Sequence, residues 1–202
     1  MNPAIPAKSA QTPSQFIEAW KLGVKLMVGS LSIFFVAGIM GYVVILQRHI
    51  TLRYSQNFEI PVTLWLSTIA LLSVSIGLFY ASKVVRRDKF QTLKRTLWVT
   101  ITGAVLFTIL QIVGMTSILN EHYLVKETAT YSMSGIAFGL ILFHAGHVAA
   151  GLVWLGIVLK RVMAQGYDHE YHLGLTLCSY YWHFLDFIWV VMLGVFIVTN
   201  MQ

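Results

Sequence analysis

Four ionisable side chains stand inside long apolar stretches of this sequence: His144 and His147 in one, His183 and Asp186 in another. An ionisable group at bilayer depth costs a few kcal/mol or more, so such residues usually mark a site or a buried polar contact between helices. Each pair is spaced i, i+3, which places its members on one face of a helix. Three chemistries compete. The histidines could ligate haem or copper, but two histidines one turn apart on one helix cannot supply both axial ligands of a haem. Copper wants three converging donors, and only His183 is left to add. Asp186 and the histidines could carry protons, yet a relay across a membrane needs more than one acid at depth. In the third reading Asp186 accepts hydrogen bonds from histidine or tryptophan on a neighbouring helix and locks the two helices together, or locks them against another subunit. The scarcity of acids favours this last reading.

Around these residues runs Tyr180-Tyr181-Trp182-His183-Phe184-Leu185-Asp186-Phe187-Ile188-Trp189. Tyr and Trp of membrane helices gather at the interfaces, so rings at mid-span imply burial against protein with each N–H or O–H partnered. A small bundle alone has little use for such a surface, whereas an obligate partner chain does.

The elements that position these groups follow from composition and charge. Of 202 residues, 57% are hydrophobic and 11% charged, with mean hydropathy +0.71; a soluble domain carries about 25% charged residues. A span needs about 20 mostly apolar residues. Five windows qualify: Leu26–Gln47, Ile60–Ser82, Thr96–Asn120, Thr128–Leu159 and Leu173–Gln202, the last interrupted by Asp186. The sequence predicts an all-α integral membrane bundle of five transmembrane helices over residues 16–202, with residues 1–15 a flexible cytoplasmic tail.

The formal charge of +6 is a matter of topology. With five spans, one side holds Lys8, Lys21, Lys25, Lys83, Arg86, Arg87, Lys89, Lys94, Arg95, Lys160 and Arg161, and the other only Arg48, Arg53 and Lys126. By the positive-inside rule the N-terminus is cytoplasmic and the C-terminus periplasmic, and no nucleic acid is called for. The basic loop Lys83–Arg95 reads as a topology determinant in contact with anionic lipid. Thr12-Pro13-Ser14-Gln15 has the form of a helix start. The first 15 residues lack the apolar core of a cleavable signal, and the run from Leu26 is too long for one, so it should be retained. Cys178 is the single cysteine, which excludes an internal disulfide. The fourth window is rich in small residues (Gly135, Gly139, Ala145, Gly146, Ala149, Ala150, Gly151), a pattern that lets helix backbones approach closely and predicts a central packing helix.

These residues resemble a family. Tyr181-Trp182-His183-Phe184-Leu185-Asp186 followed by Trp189 is similar to the Y-W-H-F-x-D-x-x-W signature in the last helix of subunit III of haem-copper terminal oxidases. His144-Ala145-Gly146-His147-Val148, followed by Gly151, resembles that family's H-G-x-H-V-x-x-G on the preceding helix, with Ala145 at the place of the first glycine. His172 and Gly174, the Gly23, Ser30, Phe34 and Phe35 set in span 1, and Ser67-Thr68 with Leu71-Leu72-Ser73 in span 2 echo further motifs. Five spans match the short bacterial form.

The resemblance implies a subunit with no cofactor of its own. It would pack against the catalytic subunit I, which holds the haems and copper, in a complex with subunit II, and would bind phospholipid in a bacterial cytoplasmic membrane. Three acids of the family are replaced, by Leu31, Thr176 and Gly114, which argues against direct proton supply. Cytochrome c is the expected donor, with a quinol oxidase or nitric oxide reductase relative as alternatives within the family. An independent b-type cytochrome using the histidines is the alternative of another class, and a transporter is disfavoured because no span is broken by internal Gly/Pro pairs. No catalytic, cofactor or metal residue is expected in this chain. His144, His147, Trp182, His183, Asp186 and Trp189 are the expected buried polar cluster, in contact with subunits or lipid, and loss of the family's carboxylate at Leu31 should turn His144 or His147 to another polar group or a lipid headgroup.

Overall fold

In the computed structural model, which describes residues 13–51, 62–87, 89–124, 130–164 and 173–200, the chain forms five helices. They are α1 (Pro13–Thr51), α2 (Val62–Val85), α3 (Phe90–Leu124), α4 (Thr130–Met163) and α5 (Leu173–Asn200). Each contains a stretch long and apolar enough to cross a membrane, the shortest being the 24 residues of Val62–Val85, or about 36 Å at 1.5 Å per residue. The helices run past the charge-free windows at both ends of α1 and α3, because backbone hydrogen bonding does not stop where hydrocarbon does. Most of the expected tail, residues 1–12, lies outside the described residues, as do Asp88 of the basic loop and His172.

The α2–α3 pair is the tightest in the bundle. A short turn joins the helices, closed by the Arg87 N–H on the Val84 carbonyl at 3.0 Å, so they must run antiparallel. Glycines then let the backbones close: Gly77 lies against the Thr100 side chain, and Gly103 lies against Ser73 and Val74. Without a hydrophobic drive inside lipid, van der Waals contact at such small residues is what holds a pair together. The helix pair packs on the rest through α3 against α4 and α2 against α5, while α1 lies on α4 and α5.

The fourth helix meets three others, as its small residues suggested, but few of those residues make the contact. Nothing lies within 4 Å of a side chain that would be added at Gly139 or Gly146, and Ala145, Ala149 and Ala150 are exposed. The contact is at Gly151, where the rings of Trp182 and Tyr181 sit 3.2 and 3.3 Å from an added Cβ. The most enclosed helix is α5. Its Leu175, Cys178, Trp182, Leu185 and Trp189 join Leu71, Val74, Leu78, Leu93, Leu97 and Leu155 in one core, and its Ile188 and Met192 join Phe35, Tyr42 and Leu140 in a second.

Candidate functional site

Successive residues of α5 point to different neighbours, and the polar groups sort accordingly. Toward α4, the Tyr181 hydroxyl donates to the His147 carbonyl at 3.0 Å and the Trp182 indole N–H to the Gly151 carbonyl at 3.3 Å. Toward α2, the Trp189 indole N–H donates to Thr68 Oγ1 at 3.0 Å. Thr68 can accept because its own proton goes to the Leu64 carbonyl, 2.8 Å away on the same helix. One turn before Trp189, the Ser75 hydroxyl bridges the Asp186 carboxylate and His183 Nδ1, the latter at 2.5 Å. His183 Nε2 lies 3.2 Å from Ser179 Oγ, and the imidazole and carboxylate are 4.0 Å apart. With Ser75 donating to the carboxylate, its oxygen accepts from Nδ1–H, and Nε2 is left an acceptor.

The expected cluster therefore divides. Asp186 and His183 bind α2, not α4, because Ser75 is the hydroxyl within reach; α4 is held instead by Tyr181 and Trp182 through main-chain carbonyls. Neither α4 histidine joins the hydrogen-bonded set. His147 donates from Nδ1 to the Phe143 carbonyl of its own helix at 2.7 Å. His144 is buried, stacked on Trp189 with ring centroids 5.5 Å apart and set edge-on to Phe35 at 6.2 Å; among the described residues neither ring nitrogen has a hydrogen-bond partner. Among the described residues, no group of three His, Cys, Asp or Glu comes together as metal ligands.

The aromatic run is also enclosed differently from the expectation. Tyr181, Trp182 and Trp189 are buried against protein with each O–H or N–H partnered, as expected, but the protein is the chain itself, at α4, Thr68 and Phe107. Tyr180 and Phe187, on the opposite side of α5, are exposed.

Sequence reasoning did not single out Ser75, and it met Thr68 only in a family motif. The available signal was their spacing: residues 68 and 75, two turns apart, share the α2 face that meets α5. A further interhelical bond, Ser67 Oγ to Gln111 Oε1 at 3.2 Å, ties α2 to α3. Gly114 faces Thr63 Oγ1 at 2.9 Å and Leu64 at 3.1 Å from an added Cβ, so no acid fits there without a shift of α2.

The family model described as Cytochrome c oxidase subunit III matches residues 14–199. The chain is 30% identical over 133 residues to the cytochrome c oxidase subunit 3 of Myxine glutinosa, a stretch covering 66% of this chain and 48% of that protein. It is 29% identical over 134 residues to that of Spodoptera frugiperda (66% and 84% covered). It is 26% identical over 129 residues to that of Alkalihalophilus pseudofirmus (62% and 60% covered). The match thus spans about half the length of the Myxine glutinosa protein.

Proposed function

Because this chain belongs to the cytochrome c oxidase subunit III family, we propose that it is a non-redox accessory subunit of a respiratory haem-copper oxidase. That complex reduces oxygen to water with cytochrome c as donor, and this chain packs against and stabilises catalytic subunit I, with subunit II in the same assembly. The membrane is the bacterial cytoplasmic one, with the N-terminus on the cytoplasmic side where the basic residues collect. Phospholipid occupies parts of the exposed apolar surface, and haem and copper belong to the partner subunits.

The observation that carries this reading is how the signature residues are used. Tyr181, Trp182, Asp186 and Trp189 each bond a neighbouring helix, which is the work of a scaffold. Direct proton supply is not part of the proposal, since Leu31, Thr176 and Gly114 stand where the family resemblance would place acids.

Asp186→Ala in the intact oxidase tests the role. It removes the carboxylate that Ser75 binds, so this subunit should separate from the complex at lower detergent concentration and the enzyme should inactivate in fewer turnovers. Unchanged association together with an unchanged turnover lifetime overturns the reading. The purified chain should show no reduced-haem absorption; a b-type spectrum at one haem per chain would replace it with the independent cytochrome.

A further inference from the structure

The imidazole of His183 is out of place on a lipid-facing surface. Its side chain is 42% exposed, against 8% for Asp186, and it lies near the centre of the Leu173–Val198 crossing, roughly 4 Å from the midpoint at 1.5 Å per residue. Among the described residues it is the one exposed ionisable group in the middle of a span; the exposed lysines and arginines stand toward the ends. Exposed hydroxyls elsewhere are compatible with hydrocarbon because they donate back to their own helices, as Ser73, Thr102 and Thr116 do to the carbonyls of Ala70, Trp98 and Val113. An imidazole can return only one nitrogen to its own helix, as His147 does to the Phe143 carbonyl, and the other is left to find a partner.

The patch holds an acceptor short of a donor. Asp186 Oδ1 has no hydrogen-bond partner among the described residues but is buried, so the acceptor within reach of a neighbour is on the imidazole. His183 Nε2 has only the long 3.2 Å contact with Ser179, a hydroxyl one turn back that can equally return to its own main chain. Exposed Ile76 and Phe79 of α2 and Tyr180 and Phe187 of α5 surround the patch. Lipid tails offer no donor at this depth, and of the side chains around this patch a second copy would bring only the Tyr180 hydroxyl as a donor.

We propose that the α2–α5 face around His183 is the docking surface for a transmembrane helix of the catalytic subunit, one that presents an O–H or N–H donor to the imidazole. This rests on the accessory-subunit reading above and adds to it which face is covered and by what chemistry.

The test is photo-crosslinking in the assembled oxidase from probes placed at Ile76 and Phe187, with matched probes at Val99 and Ile109 on α3 and at Ile33 and Val36 on α1. All six positions are exposed, so the fold is spared. Adducts with the catalytic subunit should form from Ile76 and Phe187 and not from the α1 and α3 positions. Adducts from α1 or α3 alone, in a complex that still assembles, overturn the face while leaving the subunit reading intact; adducts with lipid or with a second copy from Phe187 do the same. A chain that never co-purifies with the oxidase defeats the subunit reading itself. For the chemistry, His183→Leu should bind the complex about threefold more weakly, the usual scale of one interhelical hydrogen bond in a membrane, and His183→Gln, which keeps an acceptor, should restore it. Equal retention of both variants overturns the donor.

Discussion

Gly151→Ala puts a methyl group where the α4–α5 contact leaves no room. The new carbon would stand 3.2 Å from Trp182 Cε2 and Cζ2 and 3.3 Å from Tyr181 Cε1, against an optimum of about 3.5–4.0 Å between carbon atoms. The rings must therefore retreat by a few tenths of an ångström, and neither is free to do so. Trp182 is fully buried and Tyr181 is 3% exposed, and both are tied to α4 itself through the Gly151 and His147 carbonyls. Retreat stretches a 3.3 Å bond that is already long. Overpacking of this kind costs about 1–3 kcal/mol, equivalent to a roughly five- to 150-fold rise in the open population. Cys178, the chain's single cysteine and buried one turn before Tyr181, reports that opening. In the solubilised oxidase, a membrane-permeant maleimide should label it five- to 150-fold faster in Gly151→Ala than in the wild type. Gly146→Ala, which meets nothing within 4 Å, should stay within twofold. Equal labelling of the Gly151 variant and the wild type, or equal acceleration by both variants, refutes the reasoning that the α4–α5 contact is set at residue 151.

The remaining predictions concern α2. Gly77→Ala drives a methyl group into the Thr100 side chain and should destabilise the α2–α3 pair by about 1–3 kcal/mol; Thr100→Ala clears the space, so the double variant should regain most of the loss in thermal release assays, and one no better than Gly77→Ala alone would place the clash elsewhere. Trp189→Phe keeps a ring beside His144 but removes the donor to Thr68. Its hydrogen-bond component should be about 0.6 kcal/mol and at most about 1.7, and a double-mutant cycle with Thr68→Val should return that coupling; a coupling of zero dismisses the bond. Gln111→Leu should cost less than about 1 kcal/mol, because the amide nitrogen has no hydrogen-bond partner among the described residues while Ser67 keeps its bond to the Leu64 carbonyl. A loss of several kcal/mol on denaturant titration would show that the amide is satisfied by something bound there.

Five helices were legible because the charges of this chain, Asp186 apart, fall outside five long apolar windows, and a charge-free window of sufficient length has few other structural solutions in a membrane. The residues of the site were legible for the same reason: His183, Asp186 and the tryptophans are conspicuous at depth. Their partners were not. Ser75 and Thr68 are two among many hydroxyls in the spans, and most hydroxyls seen here simply bond their own helix, as Ser32, Thr100 and Thr108 do. Nothing in a list of serines distinguishes the one that faces a carboxylate. Of the small residues of α4, Gly151 makes the close contact and Gly139 and Gly146 do not, for a related reason: spacing tells which glycines share a face, but which face meets a neighbour depends on where α5 sends Trp182.

The two sides of α5 explain why only half of its grip could be seen in side-chain chemistry. A helical carbonyl that already accepts the N–H of residue i+4 keeps a second lone pair, so Tyr181 and Trp182 can bond α4 at residues 147 and 151 whatever side chains stand there, provided residue 151 is small enough for the rings to approach. The requirement on α4 is therefore one of size. On α2 the acceptors and donors are side chains, and the requirement is one of chemistry, a hydroxyl at 68 and another at 75. His147 illustrates the difference: its carbonyl holds Tyr181 while its imidazole bonds the Phe143 carbonyl, so removing the ring leaves the α4–α5 bond in place. A search for pairs of polar side chains finds the α2 contact and is blind to the α4 contact. That blindness is why the histidines of α4, the most visible polar residues on that helix, were expected in a cluster that its backbone forms instead.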